Sequence, residues 1–213
     1  MAPIIIPAIL VSSFNEFKKR VTLLSPYFSL MQIDVMDGEF VRSKSFEEIE
    51  KINELANLPD FELHLMVTHP LEEIGKWEKI KNIKKIIFHV ESSDDPAVVA
   101  GAISGRCSQT GIAINPETPL AAIEPYLDRI NEVLFLTVHP GEQGAKFLPE
   151  VGKKISELSL RPNRPLIGVD GGINENNIAE VKSWGAEIFC IGSALTKADD
   201  IGAVYNNLSK KIK

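Results

Sequence analysis

Short apolar runs alternate with longer amphipathic stretches from one end of this chain to the other. Eight of the runs have the length and content of strands buried on both faces: Ile4–Leu10, Leu30–Asp34, Phe61–Met66, Lys85–His89, Gly111–Ile114, Val133–Thr137, Leu166–Asp170 and Ile188–Ile191. In the gaps, helical spacing puts Phe14, Phe17, Val21 and Leu24 on one face, then Ile49, Ile52 and Leu55, then Ile155 and Leu158. Ser13 and Ser45 each stand three residues ahead of a glutamate, as in a capping box. Asp95-Pro96 and Thr118-Pro119 place a capping residue before a proline in the first helical position. The stretch from Asp200 to Lys213, with Ile201, Val204, Tyr205 and Leu208 on one side, predicts a closing helix.

Eight strand–helix units in 213 residues predict an α/β fold, a single (β/α)8 TIM-barrel domain over residues 1–213, near the lower size limit of that architecture. A doubly wound open sheet competes. That fold more often carries a glycine fingerprint after its first strand, where this chain has Ala8-Ile9-Leu10-Val11. No Gly/Ser linker divides the chain.

Composition narrows the picture further. A hydrophobic content of 44% suits one sizeable core, and a net charge of -6 offers no basic face for nucleic acid. The lysine pairs 84–85, 153–154 and 210–211 read as solvated helix ends. Cys107 and Cys190 are far apart and form no metal or redox motif. They read as reduced thiols of a cytoplasmic protein, with Cys190 buried in the core. The first apolar run is too short to span a bilayer and is broken by Pro3 and Pro7, so neither export nor a membrane anchor is expected.

A barrel carries its chemistry at the C-terminal ends of its strands. Asp34, His64, His89, Asn115, His139 and Asp170 all fall at or just past such ends. Strand alternation puts Gln32 and Asp34 on one face, and His64 and Met66 on one face. Asp37-Gly38 reads as a turn; Asp34 does not, because it continues an apolar strand. Two carboxylates from separate strands, Asp34 and Asp170, suit inversion at a carbon beside a carbonyl: one removes a proton from one face, and the other returns a proton to the opposite face. The intervening enediolate needs a metal or a set of donors. Glycines follow the last three strands, in Pro140-Gly141-Glu142-Gln143-Gly144, Gly171-Gly172 and Gly192-Ser193, as in barrels that hold a phosphate there. His89 is left open between a pocket role and packing, and His139 between a pocket and a loop role, while His69, before a proline, reads as a helix start. Trp77 and Trp184 fall in helical stretches and suit helix–barrel packing.

Together these residues resemble the ribulose-phosphate 3-epimerase family. The likeness is carried by Asp34-Val35-Met36-Asp37-Gly38 with Phe40-Val41, His64-Leu65-Met66-Val67 with Pro70, Phe88-His89 with Glu91, and Asn115-Pro116 with Thr118-Pro119-Leu120. It continues in Pro140-Gly141, in Val169-Asp170-Gly171-Gly172 with Asn174, and in Gly192-Ser193-Ala194. The resemblance implies a barrel of the ribulose-phosphate-binding type that interconverts ribulose 5-phosphate and xylulose 5-phosphate. Asp34 and Asp170 would be the acid–base pair. Asp34, His64 and Asp170, with Gln32 as a weak fourth ligand, would hold a divalent metal: zinc, manganese or magnesium. Met36, Met66, Gly141, Gly144, Gly171, Gly172, Gly192 and Ser193 would contact the phosphorylated sugar. A homo-oligomer is also implied.

The chain departs from the family pattern where it matters. Gln32 replaces a histidine, Ala8 a serine and Leu136 a methionine, and Gly141-Glu142-Gln143-Gly144 replaces a richer glycine run. An amide oxygen is a weaker zinc donor than imidazole, so the expected site is poorer for zinc and relatively better for manganese, magnesium or no metal. Two alternatives follow: a 3-epimerase of a ketohexose 6-phosphate, and a non-catalytic sugar-phosphate binder. A decarboxylase ranks lowest, because no Asp-x-Lys arrangement stands on a strand.

Overall fold

A computed structural model describes residues 3–107, 109–141 and 145–213. Eight parallel strands close in sequence order into a barrel, with the eighth paired to the first. They are β1 (Ile4–Ile9), β2 (Leu30–Met36), β3 (Asp60–Met66), β4 (Ile83–His89), β5 (Gln109–Ile114), β6 (Glu132–Leu136), β7 (Leu166–Asp170) and β8 (Ile188–Ile191). The helices are α1 (Phe14–Leu24), α2 (Pro70–Trp77), α3 (Pro96–Ser104), α4 (Gly152–Ser159), α5 (Ile178–Ser183), α6 (Ser193–Thr196) and α7 (Ile201–Ile212). Among the described residues, no helix is long and apolar enough to cross a membrane.

The β/α alternation read from the sequence is therefore present, but two gaps hold no α-helix. After β2 the chain makes a 3-10 stretch, Ile49–Glu54, which still buries Ile49 and Ile52. After β5 it makes two more, Leu120–Ala122 and Glu124–Arg129. In both gaps the hydroxyl expected to cap a helix is engaged elsewhere. Ser45 caps nothing; its Oγ accepts from the Met36 N–H at 3.1 Å and closes the loop behind β2. Thr118 donates its hydroxyl to Glu91. By contrast, Ser13 Oγ accepts from the Glu16 N–H at 3.3 Å, and Asp95 Oδ1 accepts from Ala97 and Val98. Asp200 caps α7.

Two apolar layers result from strand alternation. Outward side chains such as Ile33, Leu63, Phe88 and Phe135 pack under the helices, where Trp77 is also buried. Inward chains Ile6, Ile87, Ala113, Leu134, Leu136, Ile188 and Cys190 fill the barrel. Cys190 is the core thiol expected, its ionisation suppressed by burial and by the nearby acids.

The barrel interior also holds a buried ionic cluster, which corrects the reading of Lys85 as a solvated helix end. Lys85 Nζ lies 2.8 Å from Glu62 Oε2 and 2.5 Å from Glu132 Oε2, and all three side chains are buried. Alternation explains it: Glu62 stands two residues before His64 on β3, and Lys85 stands four before His89 on β4. Glu132 begins a strand that runs one residue earlier than the pattern suggested. Gly168 makes room for it, since a Cβ there would collide with Glu132 Oε1. Lys154, placed in another solvated pair, is also engaged. Its Nζ donates to the carbonyls of Asn115, Pro116 and Thr118 and ties α4 to the loop after β5.

Burial, only partly offset by Lys85, pushes the Glu132 carboxyl up to about 7. A carboxyl raised on folding contributes stability that is present below its unfolded value, near 4.5, and lost as pH rises through 7. Between pH about 5 and 8, wild type should therefore lose stability relative to Glu132→Gln. Urea unfolding of both proteins at the two pH values checks this; parallel curves would count against it.

Candidate active site

The strand ends converge as alternation requires. Asp34 on β2 is in register with His64 on β3, and Leu136 on β6 with Asp170 on β7. Ala8 on β1 is in register with Gln32. Asp34, His64 and Asp170 line one cavity, of about 540 Å³ including its open mouth, together with Met66, Gly141, Gly171, Gly172 and Gly192. One ligand atom from each of Asp34, His64 and Asp170 lies within 4.8 Å of the others.

Gln32 organises this cluster. It is fully buried, and its Nε2 donates to Asp34 Oδ1 at 2.8 Å and to Asp170 Oδ2 at 2.7 Å. One amide thus clamps two carboxylates that would otherwise repel. Its oxygen, Oε1, is buried without a hydrogen-bond partner among the described residues, an arrangement that costs free energy unless another group satisfies it. His64 Nδ1 faces the same two carboxylates, at 3.1 Å from Asp34 Oδ1 and 3.5 Å from Asp170 Oδ2. Burial, assisted by the charge on Asp170, raises the Asp34 carboxyl to about 6. Burial also works against a charged His64, but the hydrogen bonds to Asp170 and Asp34 outweigh it and carry the imidazole up to about 9.

His89, left open by the sequence, lies in this network. It is fully buried, and its Nε2 is 2.9 Å from His64 Nε2. Its Nδ1 is 3.1 Å from Glu91 Oε2. Burial, with His64 beside it, pulls His89 down to about 4, so it is neutral near pH 7. The Phe40 ring covers it, 4.8 Å between centroids. Burial disfavours an ionised Glu91, yet bonds from His89, Thr118 and the Asn115 N–H prevail and hold it below the usual carboxylate range.

The other candidates sort cleanly. Asp37 is the turn former: it accepts from the N–H groups of Glu39, Phe40 and Thr68. Met66 lines the cavity, whereas Met36 packs with Val41 and Met66 and faces a neighbouring hollow. Gly171 has φ +117, and a Cβ there would meet Val138 Cγ2 at 2.6 Å, so only glycine lets β7 turn this closely past β6. Thr137 locks the turn by donating to the Gly171 carbonyl at 2.6 Å. Ser193 opens α6 directly after Gly192. Gly144, with Glu142 and Gln143, lies outside the described residues. His139 is a loop residue, 69% exposed and facing Glu117, and His69 stands half-exposed before Pro70.

Sequence reasoning did not foresee Glu91 as the partner of His89, nor the Glu62–Lys85–Glu132 cluster beneath the site. The signal was present in both cases. Counting back in twos from His64 and His89 puts Glu62 and Lys85 inside the barrel. Glu91, two residues past a strand end, sits where barrel loops carry function.

Solved structures similar in fold include 3-hexulose-6-phosphate synthase from Salmonella typhimurium, with TM-score 0.69 and 15% identity over 100% of this chain and 98% of that one. Another is phosphoribosyl anthranilate isomerase from Thermococcus kodakaraensis, with TM-score 0.65 and 14% identity over 99% of each chain. At that distance they speak to the fold alone. Sequence relatives are nearer. The ribulose-phosphate 3-epimerase of Mycobacterium bovis is 30% identical over 98% of this chain and 93% of its own. That of Aquifex aeolicus is 34% identical over 84% of this chain and 82% of its own. Residues 4–196 match the model of the Ribulose-phosphate 3 epimerase family, and the chain belongs to that family of isomerases.

Proposed function

We propose that this protein interconverts ribulose 5-phosphate and xylulose 5-phosphate, with Asp34 and Asp170 as paired acid and base. The observation that carries the reading is the clamped pair itself: two carboxylates from β2 and β7, bridged by one amide and one imidazole at the floor of a glycine-edged cavity. Carboxylates on opposite sides of a planar enediolate can each serve one face of the same carbon. Burial that raises Asp34 keeps its protonated form accessible near neutral pH, as an acid requires. Backbone at Gly171-Gly172 and Gly192-Ser193, together with Gly141, would approach the phosphate end of the sugar, and Met66 would pack on its carbon chain.

The donor set fits a divalent metal. Asp34, His64 and Asp170 offer ligand atoms within 4.8 Å of one another, and Gln32 Oε1, unpartnered among the described residues, would become a fourth donor once the amide turns over. When bound, the metal would offset the negative charge of the enediolate. The residues present then orient the sugar, hold the two transferable protons apart and exclude water.

An amide that must surrender two hydrogen bonds before it can ligate is a poor zinc donor. Gln32→His should therefore raise zinc affinity by about 10- to 100-fold, measured by competition with a chromophoric chelator. Equal affinities would remove Gln32 from the account of metal choice. The substrate is tested by incubating protein, with manganese, magnesium or zinc, with ribulose 5-phosphate and in parallel with a ketohexose 6-phosphate. Faster turnover of the pentose is expected. Preference for the hexose would move the assignment to the larger sugar, and binding without turnover would indicate a binding protein.

A further inference from the structure

We infer that Glu91 is a positioning residue: it fixes the tautomer of His89, and through it the ring nitrogen that His64 turns toward Asp34 and Asp170. The inference rests on the proposed metal-binding role of His64, but its central measurement requires neither metal nor substrate.

Donor and acceptor matching along one chain of contacts carries the argument. Glu91 has both oxygens committed. Oε1 accepts from the Asn115 backbone N–H at 2.8 Å and from the Thr118 hydroxyl, and Oε2 lies 3.1 Å from His89 Nδ1. A carboxylate only accepts, so the proton of His89 sits on Nδ1. His89 Nε2 is left with a lone pair. The next contact, 2.9 Å from His89 Nε2 to His64 Nε2, then needs a proton on His64 Nε2. That leaves His64 Nδ1 as the atom facing the carboxylates, able to give up its proton and ligate. With the opposite tautomer of His89, His64 would have to accept at Nε2. Its Nδ1 would keep a proton pointed at the metal position and could not bind there.

Glu91 is itself held from outside the barrel. Lys154 Nζ donates to the carbonyls of Asn115, Pro116 and Thr118 at 3.1, 2.7 and 2.7 Å, and so braces the loop whose N–H and hydroxyl grip Glu91. The linked groups run from α4 through the loop after β5 to the strand-three histidine, and none of them except His64 touches the two aspartates.

Glu91→Gln tests this with almost no change of shape. The Asn115 N–H can only donate, so it keeps the new amide oxygen and turns the amide NH2 toward His89 Nδ1. That reverses the demand on His89. The experiment is a long-range proton–nitrogen NMR correlation on histidine-labelled, metal-free protein at a pH above about 9, where His64 is neutral and imposes no donor of its own on His89; it reads the protonated nitrogen of each ring directly. Wild type should show His89 protonated on Nδ1 alone, and Glu91→Gln should show it protonated on Nε2. Manganese affinity, read by the EPR signal of free ion, should fall about 10- to 100-fold in the variant, with circular dichroism unchanged. His89 protonated on Nε2 in wild type overturns the inference even if the variant fails to fold. An unchanged tautomer in a folded variant, or an inverted tautomer with unchanged manganese affinity, overturns it too. An inverted tautomer with reduced affinity in a protein that never epimerises a pentose phosphate would leave the inference standing and reject the proposed substrate instead.

Discussion

Asp34→Asn and Asp170→Asn should each abolish net interconversion, lowering kcat by about 100- to 10,000-fold, while each leaves one half of the chemistry visible. If the two carboxylates serve opposite faces of C3, the surviving one still removes the proton of the epimer it faces and exchanges it with solvent. Each variant should therefore wash deuterium into one epimer only, and the two variants should choose different epimers. Gln32 keeps a carboxylate partner in either variant, because it bonds to both. The arrangement of the remaining groups is thus supported. Proton NMR of each sugar phosphate in heavy water, variant by variant, reads the outcome. Exchange of the same epimer by both variants would show that one carboxylate does all the proton transfer and the other only holds it in place.

Lys85→Met should destabilise the fold by about 3–5 kcal/mol, because it strands Glu62 and Glu132 in the barrel without their counter-ion. Replacing all three members, as Glu62→Leu, Lys85→Met and Glu132→Leu together, should be neutral or stabilising by about 1–4 kcal/mol. The difference follows from desolvation. A buried ion pair rarely repays the cost of leaving water, but one partner alone costs more still. Glu132 shows the imbalance already, with Oε1 unpartnered and a carboxyl raised by burial. Chemical denaturation of wild type, single and triple variants measures both effects. A single variant as stable as wild type would mean that water or local opening solvates the cluster. A triple variant less stable than the single would mean that the ionic cluster, and not merely its completeness, supports the barrel.

The sequence revealed the barrel because parallel strands covered on both faces must be apolar, and turns and caps punctuate them. β7 and β8 match the predicted limits residue for residue. It was less informative where local signals had competing partners. Ser45 and Thr118 look like caps, yet a strand backbone and a half-buried carboxylate claim their hydroxyls. Lys85 looks solvated beside Lys84, yet the pleat sends the two in opposite directions; Lys84 pairs outside with Asp60 while Lys85 points inward. Asp34, His64 and Asp170 were legible because a polar residue ending an apolar strand has few structural reasons to be there. Gln32 was legible as a member of the site but not as its clamp. Which atom of an amide faces a neighbour depends on the three-dimensional partners, and only the fold brings Asp170 across to it.

Whether Asp34 and Asp170 move the C3 proton of a pentose phosphate is read by incubating wild-type protein with ribulose 5-phosphate in heavy water and following proton NMR, first with chelator and then with manganese, magnesium or zinc added. Deuterium should enter C3 as xylulose 5-phosphate forms, fastest with one of the added metals. Folded protein that binds the sugar phosphate but neither exchanges C3 nor forms the epimer under any of these conditions would rule out this proton transfer.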